Sequence, residues 1–316
     1  MIVEAIHWNG RGWIRGNTSI DVADLVIYFG TREQLSDAAP YLALRDAFPA
    51  AQLLGCSTGG QISNLEVGDE EIAAVAMKFE ATTVRLARVN IETADQSRAC
   101  GLKLGAELAA ADLAAVFVLS DGLKVNGSEL VAGISAAIGP GVRVSGGLAG
   151  DGAAFSQTLV GANEAPRMGA IGAISFYGNS IRIGTGSADG WDVFGPKRRI
   201  TRSQGNVLHM LDGQPALDLY ERYLGEEDSK ALPGSALLFP LKISDPSRPD
   251  HDVVRTVLAI DREARTMTFA GDMPEGWTAQ LMRGTHHRLT AGATDAARQA
   301  QDEVGAPIVS GVALLV

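Results

Sequence analysis

Leu25-Val-Ile-Tyr-Phe-Gly30 decides the reading of this chain, because ninety residues later Ala115-Val-Phe-Val-Leu-Ser120 repeats its character. Both are short apolar runs with β-branched and aromatic members, as expected of strands buried on both faces. The first leads into Thr31-Arg-Glu-Gln34, a capping-box pattern that opens a helix; Pro40 interrupts that helix and Pro49 closes it. The second leads into Asn126-Gly-Ser-Glu129, another helix start, with Leu130, Ile134 and Ile138 on one face until Gly139-Pro140. A further strand comes next in each: Gln52-Leu-Leu-Gly55 enters Cys56-Ser-Thr-Gly-Gly60, and Val142-Arg-Val-Ser145 enters Gly146-Gly-Leu-Ala-Gly-Asp-Gly152. The separation is 30 residues in both, Leu25 to Gly55 and Ala115 to Ser145. Each is a βαβ unit with a glycine-rich turn beyond its second strand.

The segments beyond the two turns match as well. Ile72–Phe79 with Val84–Ala87 parallels Ile171–Tyr177 with Ile181–Gly184, and both read as hairpins. An internal duplication spanning about 25–90 and 115–186 is therefore expected, with a helix from Thr93-Ala-Asp-Gln96 to about Ala111 between the copies. After Gly186 the pattern changes to a polar, glycine-bearing crossing that includes Trp191 and Phe194. Those two aromatics flank the expected domain crossing and suit either an interdomain ligand cleft or simple packing of one domain on the other. Strands are then expected at 207–211, 236–239, 253–260, 266–269 and 280–284, with helices at 215–224, Pro215 in the first helical position, and at 288–303. The fold class is α/β: a duplicated βαβ-plus-hairpin domain over 1–195 and a mixed α/β domain over 196–316.

Composition narrows the function. Hydrophobic residues make up 46% of the 316, enough for a packed core, and the net charge of −10 disfavours a grip on nucleic acid. The one local basic cluster, Lys197-Arg198-Arg199, reads as a solvated linker. Cys56 and Cys100 are too few for a disulfide framework and lack C-x-x-C spacing. Met1–Trp8 lacks the basic start and apolar stretch of a signal peptide, and no apolar run reaches membrane-span length. A reducing cytoplasm and no membrane partner are the expectation.

Taken together, the residues resemble the FIST family. Gly55-Cys-Ser-Thr-Gly-Gly60 and Val144-Ser-Gly-Gly147 with Asp151-Gly152 look like its N-terminal domain, and Asn206 to Tyr220 looks like the opening of its C-terminal domain. Thr268 to Gly276 with Leu281-Met-Arg283 is similar to a later part of that domain. The resemblance implies a bacterial cytoplasmic sensor of small ligands such as amino acids, and for one subset a haem-bound nitric-oxide sensor acting on histidine kinases. It also implies that the apolar strand expected at Val312-Ala-Leu-Leu-Val316 continues into a Cys- and Gly-bearing segment, so the second domain is either cut short or lacks a C-terminal layer.

Three chemistries compete. Glycine turns at strand exits let consecutive backbone amides cradle an anion, with Cys56, Ser57, Thr58, Gly59 and Gly60 from one turn and Ser145, Gly146 and Gly147 from the other. Asp151 either meets an amine or caps a turn, and Arg283 either holds a carboxylate or extends its head to solvent or a structural acid. Gly55-Cys-Ser-Thr-Gly59 also satisfies the nucleophile-elbow pattern of a serine hydrolase, but Gln61 to Gly68 lacks the helical periodicity such an elbow needs. For haem, His209, His286 and His287 are the candidate axial ligands; His7 and His251 have polar or terminal surroundings. Neither a catalytic residue nor a resident metal or cofactor is assigned; haem is the alternative.

Overall fold

A computed structural model describes residues 1–16, 20–63, 66–68, 71–248, 252–305 and 311–314. His251 lies outside them. The chain forms two compact units, Met1–Val125 with Leu130–Ile183 and Val304–Val316, and Asn126–Glu129 with Gly184–Glu303.

In the first unit the strands are β1 (Ile2–Trp8), β2 (Trp13–Arg15), β3 (Leu25–Gly30), β4 (Gln52–Ser57), β5 (Gln61–Ser63), β6 (Glu66–Gly68), β7 (Ile72–Lys78), β8 (Thr83–Asn90), β9 (Leu113–Ser120), β10 (Arg143–Leu148), β11 (Val160–Ala162) and β12 (Ala170–Tyr177). The helices are α1 (Arg32–Leu35), α2 (Ala39–Ala47), α3 (Ser97–Leu108) and α4 (Gly127–Ile138). Thr31 and Gln34 form the expected capping box at α1. Pro40 does more than interrupt: it sits in the first turn of α2, where its missing N–H costs nothing.

Two sheets result, with orders β11-β4-β3-β7-β1-β2 and β10-β9-β12-β8. Their central four strands share one plan. β3 and β4 are parallel, as are β9 and β10, while β7 and β12 run antiparallel beside them. Successive side chains of a strand face opposite ways. Leu25 and Ile27 of β3 therefore meet Phe117 and Leu119 of β9 in a core between the sheets. Val26 and Tyr28 turn to the other face, with Leu44 and Phe48, and Val116 and Val118 turn to Leu104 and Ile134. The layers are helix, sheet, sheet, helix, which is why the strands read as unbroken apolar runs.

The expected hairpins do not form. β7 joins the first sheet and β8 joins the second, pairing with β12 across Ala170–Asn90 to Tyr177–Thr83. Residues 181–190 form no strand at all. In the second sheet β8 stands where β1 stands in the first, so the plan starts one strand earlier than the sequence pattern suggests. β1 is anchored by Glu4, fully buried, whose carboxylate accepts from Arg15 Nε at 3.0 Å and Ile20 N at 2.9 Å.

The second unit contains β13 (Trp191–Gln204), β14 (Val207–Leu211), β15 (Gln214–Pro215), α5 (Ala216–Leu224), α6 (Glu226–Lys230), β16 (Leu241–Ser244), β17 (Asp252–Arg255), β18 (Val257–Asp261), β19 (Thr266–Phe269), β20 (Thr278–Gly284) and α7 (His286–Val304). Its sheet runs β17-β16-β20-β13-β14-β19-β18, with β15 on β14. Ala216, Leu217, Leu219 and Tyr220 of α5 join its core beside Ile200, Leu208, Ile243 and Phe269. Three expectations change. The segment 236–239 falls in a 3₁₀ turn over Gly234–Leu238, because four apolar residues alone do not distinguish a strand from a turn of helix. The strand expected at 253–260 divides at Thr256, where the chain changes partner from β16 to β19. Residues 311–314 are not a strand.

Candidate functional site

β4 delivers Cys56 and Ser57 into the interior. Cys56 is 2% exposed between the sheets, and burial pushes its thiol up to about 12, so it is an inert core residue. Ser57 is fully buried; its N donates to Leu159 O and its Oγ accepts from Leu159 N, both at 2.9 Å. The side chains of both residues are thus closed to a ligand, which corrects their place in the expected set. The chain then turns through Thr58, Gly59 and Gly60 into β5. A nucleophile elbow passes from strand to helix and exposes its serine; neither feature is built at Ser57.

Ser145, Gly146 and Gly147 lie inside β10 rather than beyond it. Gly146 has φ +148°, and a Cβ there would fall 1.8 Å from Val118 O. Gly55 occupies the same place in the first sheet, where a Cβ would fall 2.4 Å from Tyr28 O. The pairings Tyr28–Gly55 and Val118–Gly146 make these two glycines equivalent, one residue away from the match that the 30-residue spacing suggests. The exits then align through Thr58 N to Gly30 O (2.9 Å) and Ala149 N to Ser120 O (2.8 Å). Ser57-Thr58 therefore corresponds to Leu148-Ala149.

Asp151 fulfils the turn-capping alternative. Its carboxylate accepts from the amides of Phe155 (3.0 Å), Ser156 (2.8 Å) and Gln157 (2.9 Å), and Arg32 lies 3.8 Å away. With its side chain 3% exposed, it shapes the second exit and does not present itself to an amine.

The two exits meet. Gly150 N donates to Ser57 O at 2.8 Å, and a Cβ on Gly59 would stand 3.3 Å from Gly152 Cα. Gly59 and Gly152 are exposed, while Thr58, Gly60 and Gly150 are half-buried. Thr58 Oγ1 donates to Gly60 O at 3.0 Å. The amides of Gly59 and Gly60 have no acceptor among the described residues. Together the bends assemble a small backbone surface of exposed glycine, framed by buried serine and aspartate.

Other candidates fall in the second unit. Arg283 is exposed on β20 opposite Asp192, so its head reaches solvent. His209 is half-buried in β14, and His286 and His287 are exposed in the first turn of α7. Among the described residues no group of three His, Cys, Asp or Glu side chains is arranged to hold a metal ion. A shallow recess of about 20 Å³ is lined by Phe194, Arg198, Leu219, Tyr220 and Tyr223 among others. No histidine among the described residues lines it, so a haem there lacks an axial ligand. Periodicity marks Leu219, Tyr220 and Tyr223 as one face of α5, but Arg198 reads as linker and is missed. It is instead a strand residue of β13, held by Asp212 and Tyr223. Trp191 begins the same strand, with its Nε1 buried and unpartnered among the described residues.

These features define a two-unit α/β protein in which two glycine-bearing strand exits of the first unit are brought together. The chain belongs to the FIST family: the model of the FIST N domain matches residues 24–214 and that of the FIST C domain matches 216–316. FIST domains are associated with sensing of small ligands in signal transduction. No curated protein matches the chain. Among the described residues no helix is long and apolar enough to cross a membrane.

Proposed function

We propose that the chain is a cytoplasmic small-ligand sensor of bacterial signal transduction, binding an amino acid or a similar small anionic or zwitterionic molecule where the two strand exits meet. One observation carries the reading: Gly150 N bonded to Ser57 O, with Gly59 against Gly152, brings two glycine bends to one exposed spot. Glycine lets amides approach an anion closely, and the Gly59 and Gly60 amides are the donors for a ligand carboxylate. Ser57, Asp151 and Gly146 hold the bends in place from behind.

The chain acts by binding and not by a covalent step. A ligand switches such a protein only if it binds one arrangement better than another. A second protein, such as a histidine kinase, then reads the favoured arrangement. The net charge of −10 argues against nucleic acid in that role.

The test is calorimetry and thermal melting of the full chain against amino acids and organic acids. One ligand class should bind saturably and raise Tm, with about 2.7 kcal/mol of added stability at a hundred times Kd. Gly59→Leu, which places a side chain over the exposed bends, should weaken that binding at least tenfold. Flat responses across the panel, or binding indifferent to Gly59→Leu, would overturn the proposal.

A further inference from the structure

β4 and β10 hold the same place in their two sheets, yet among the described residues only β4 is paired on its outer side. β11 lies antiparallel to it, with Val160 opposite Cys56, Gly161 opposite Gly55 and Ala162 opposite Leu54. Ser57 N to Leu159 O (2.9 Å) and Asn163 N to Leu53 O (2.8 Å) bond on that side. The outward backbone groups of β4 are therefore those of Leu53, Gly55 and Ser57, and their counterparts in β10 are Val144, Gly146 and Leu148. Alternation gives the same answer: Ala149 N turns inward to Ser120 O, so the amides of Val144, Gly146 and Leu148 turn outward. Those three amides have no acceptor among the described residues.

An open strand edge is a template for another chain, and proteins guard such edges with charge. β8, the opposite border of this sheet, carries exposed Arg85 and Arg88. β10 carries no charged side chain after Arg143, whose Nη1 donates to Ile183 O at 3.1 Å. Its sequence is also complementary to itself. Turned antiparallel about Gly146, a second copy sets glycine opposite glycine, as Gly161 stands opposite Gly55. Val144 then meets Leu148 twice, Ser145 meets Gly147, and no like charges face each other. Val144 and Leu148 are half-buried against the core beneath α3 and α4. α3 packs along β8 and meets one flank of α4, where Gly101 and Gly105 approach Gly133 and Ala137. Val131, 41% exposed, lies on the opposite flank of α4, toward β10.

We infer that β10 is a dimerisation strand: two copies join antiparallel about Gly146, and their four-stranded sheets become one continuous sheet of eight. Val131 of each α4 flanks the seam. The surface is separate from the glycine bends and does not depend on a ligand there.

Sedimentation velocity and light scattering of the full chain, over a concentration series into the high micromolar range, test it. The chain should pass from monomer to dimer, and residue-resolved hydrogen exchange should slow at the amides of Val144, Gly146 and Leu148 as the dimer fills. Val131→Glu, at an exposed position, sets two carboxylates beside the seam; it should leave Tm unchanged and weaken the dimer at least tenfold. Val144→Lys puts a charge opposite Leu148 and should abolish the dimer; Val131→Glu carries the test if Val144→Lys fails to fold. Gly59→Leu should leave the dimer intact, which separates this surface from the site proposed above. A chain that stays monomeric, a dimer unmoved by Val131→Glu and any folded Val144→Lys, or β10 amides that exchange equally fast in monomer and dimer would each overturn the inference.

Discussion

The two strand exits of the first unit start from the same bond, Thr58 N to Gly30 O in one and Ala149 N to Ser120 O in the other, and then diverge. After Ala149 the chain is pinned by Asp151, whose carboxylate takes three successive amides. Beyond Thr58 the chain runs into the small β5–β6 ladder, where Ile62 and Val67 face each other across the strands and are both exposed. One exit is scaffold and the other is surface. The contrast teaches that a shared strand plan fixes where bends fall, while single polar side chains decide which of them is pinned and which stays exposed.

That comparison breaks first at the glycines. Gly55→Ala and Gly146→Ala each drive a Cβ into the carbonyl of the neighbouring strand, so each should cost at least about 3 kcal/mol in urea unfolding. If either costs less than about 1 kcal/mol, the two positions are not equivalent. Asp151→Ala strips the acceptor from three amides and should cost about 2–3 kcal/mol, with Asp151→Asn losing less because it keeps one acceptor oxygen. No substitution among the described residues of the first exit has a comparable carboxylate to lose.

The fourth strand of each sheet sharpens the comparison. β1 is tied by buried Glu4, β8 by the more exposed Arg88–Glu164 pair. Burial alone would raise the Glu4 carboxyl, but hydrogen bonds from Arg15 and the Ile20 amide outweigh it and hold the group below its ordinary value. The stabilisation is therefore present above the ordinary glutamate pKa of about 4.3 and is lost as pH falls through the lower folded value. Glu4→Gln should cost roughly 1–2 kcal/mol at pH 7, and the Tm gap to the parent should close toward pH 3. Arg88→Ala should stay within about 0.5 kcal/mol, as measured by the same melts. Smallest of all is Tyr28→Phe. The Tyr28 hydroxyl is buried without a partner among the described residues, so its removal should be neutral or stabilise by up to about 1 kcal/mol in urea unfolding.

Much of this was legible in the residues, for reasons that also mark the limit. Apolar runs such as Leu25–Gly30 and Ala115–Ser120 announce strands buried on both faces, and Thr31 with Gln34 announces a helix start. Spacing misplaced the second turn by one residue because a parallel register is set by contact between strands, here Val118 with Gly146, and not by counting along the chain. The hairpins are absent because strands adjacent in sequence do not pair here: β8 finds β12, some eighty residues away or more. At the site, the glycine bends were visible and their meeting was not. Arg198 was hidden because the slip that re-aims it arises between β13 and β20, far apart in sequence.

The exchange of strands between the two halves has a practical corollary. β8, directly after β7 in the chain, completes the second sheet, and β11, from the later half, lies along β4 at the edge of the first. Cutting the chain between β8 and β9 would leave the first fragment without β11 and the second without β8, each with bare backbone at its border and prone to self-association. The two sheets are thus mutually dependent, and the pair can be transplanted or engineered only as a whole.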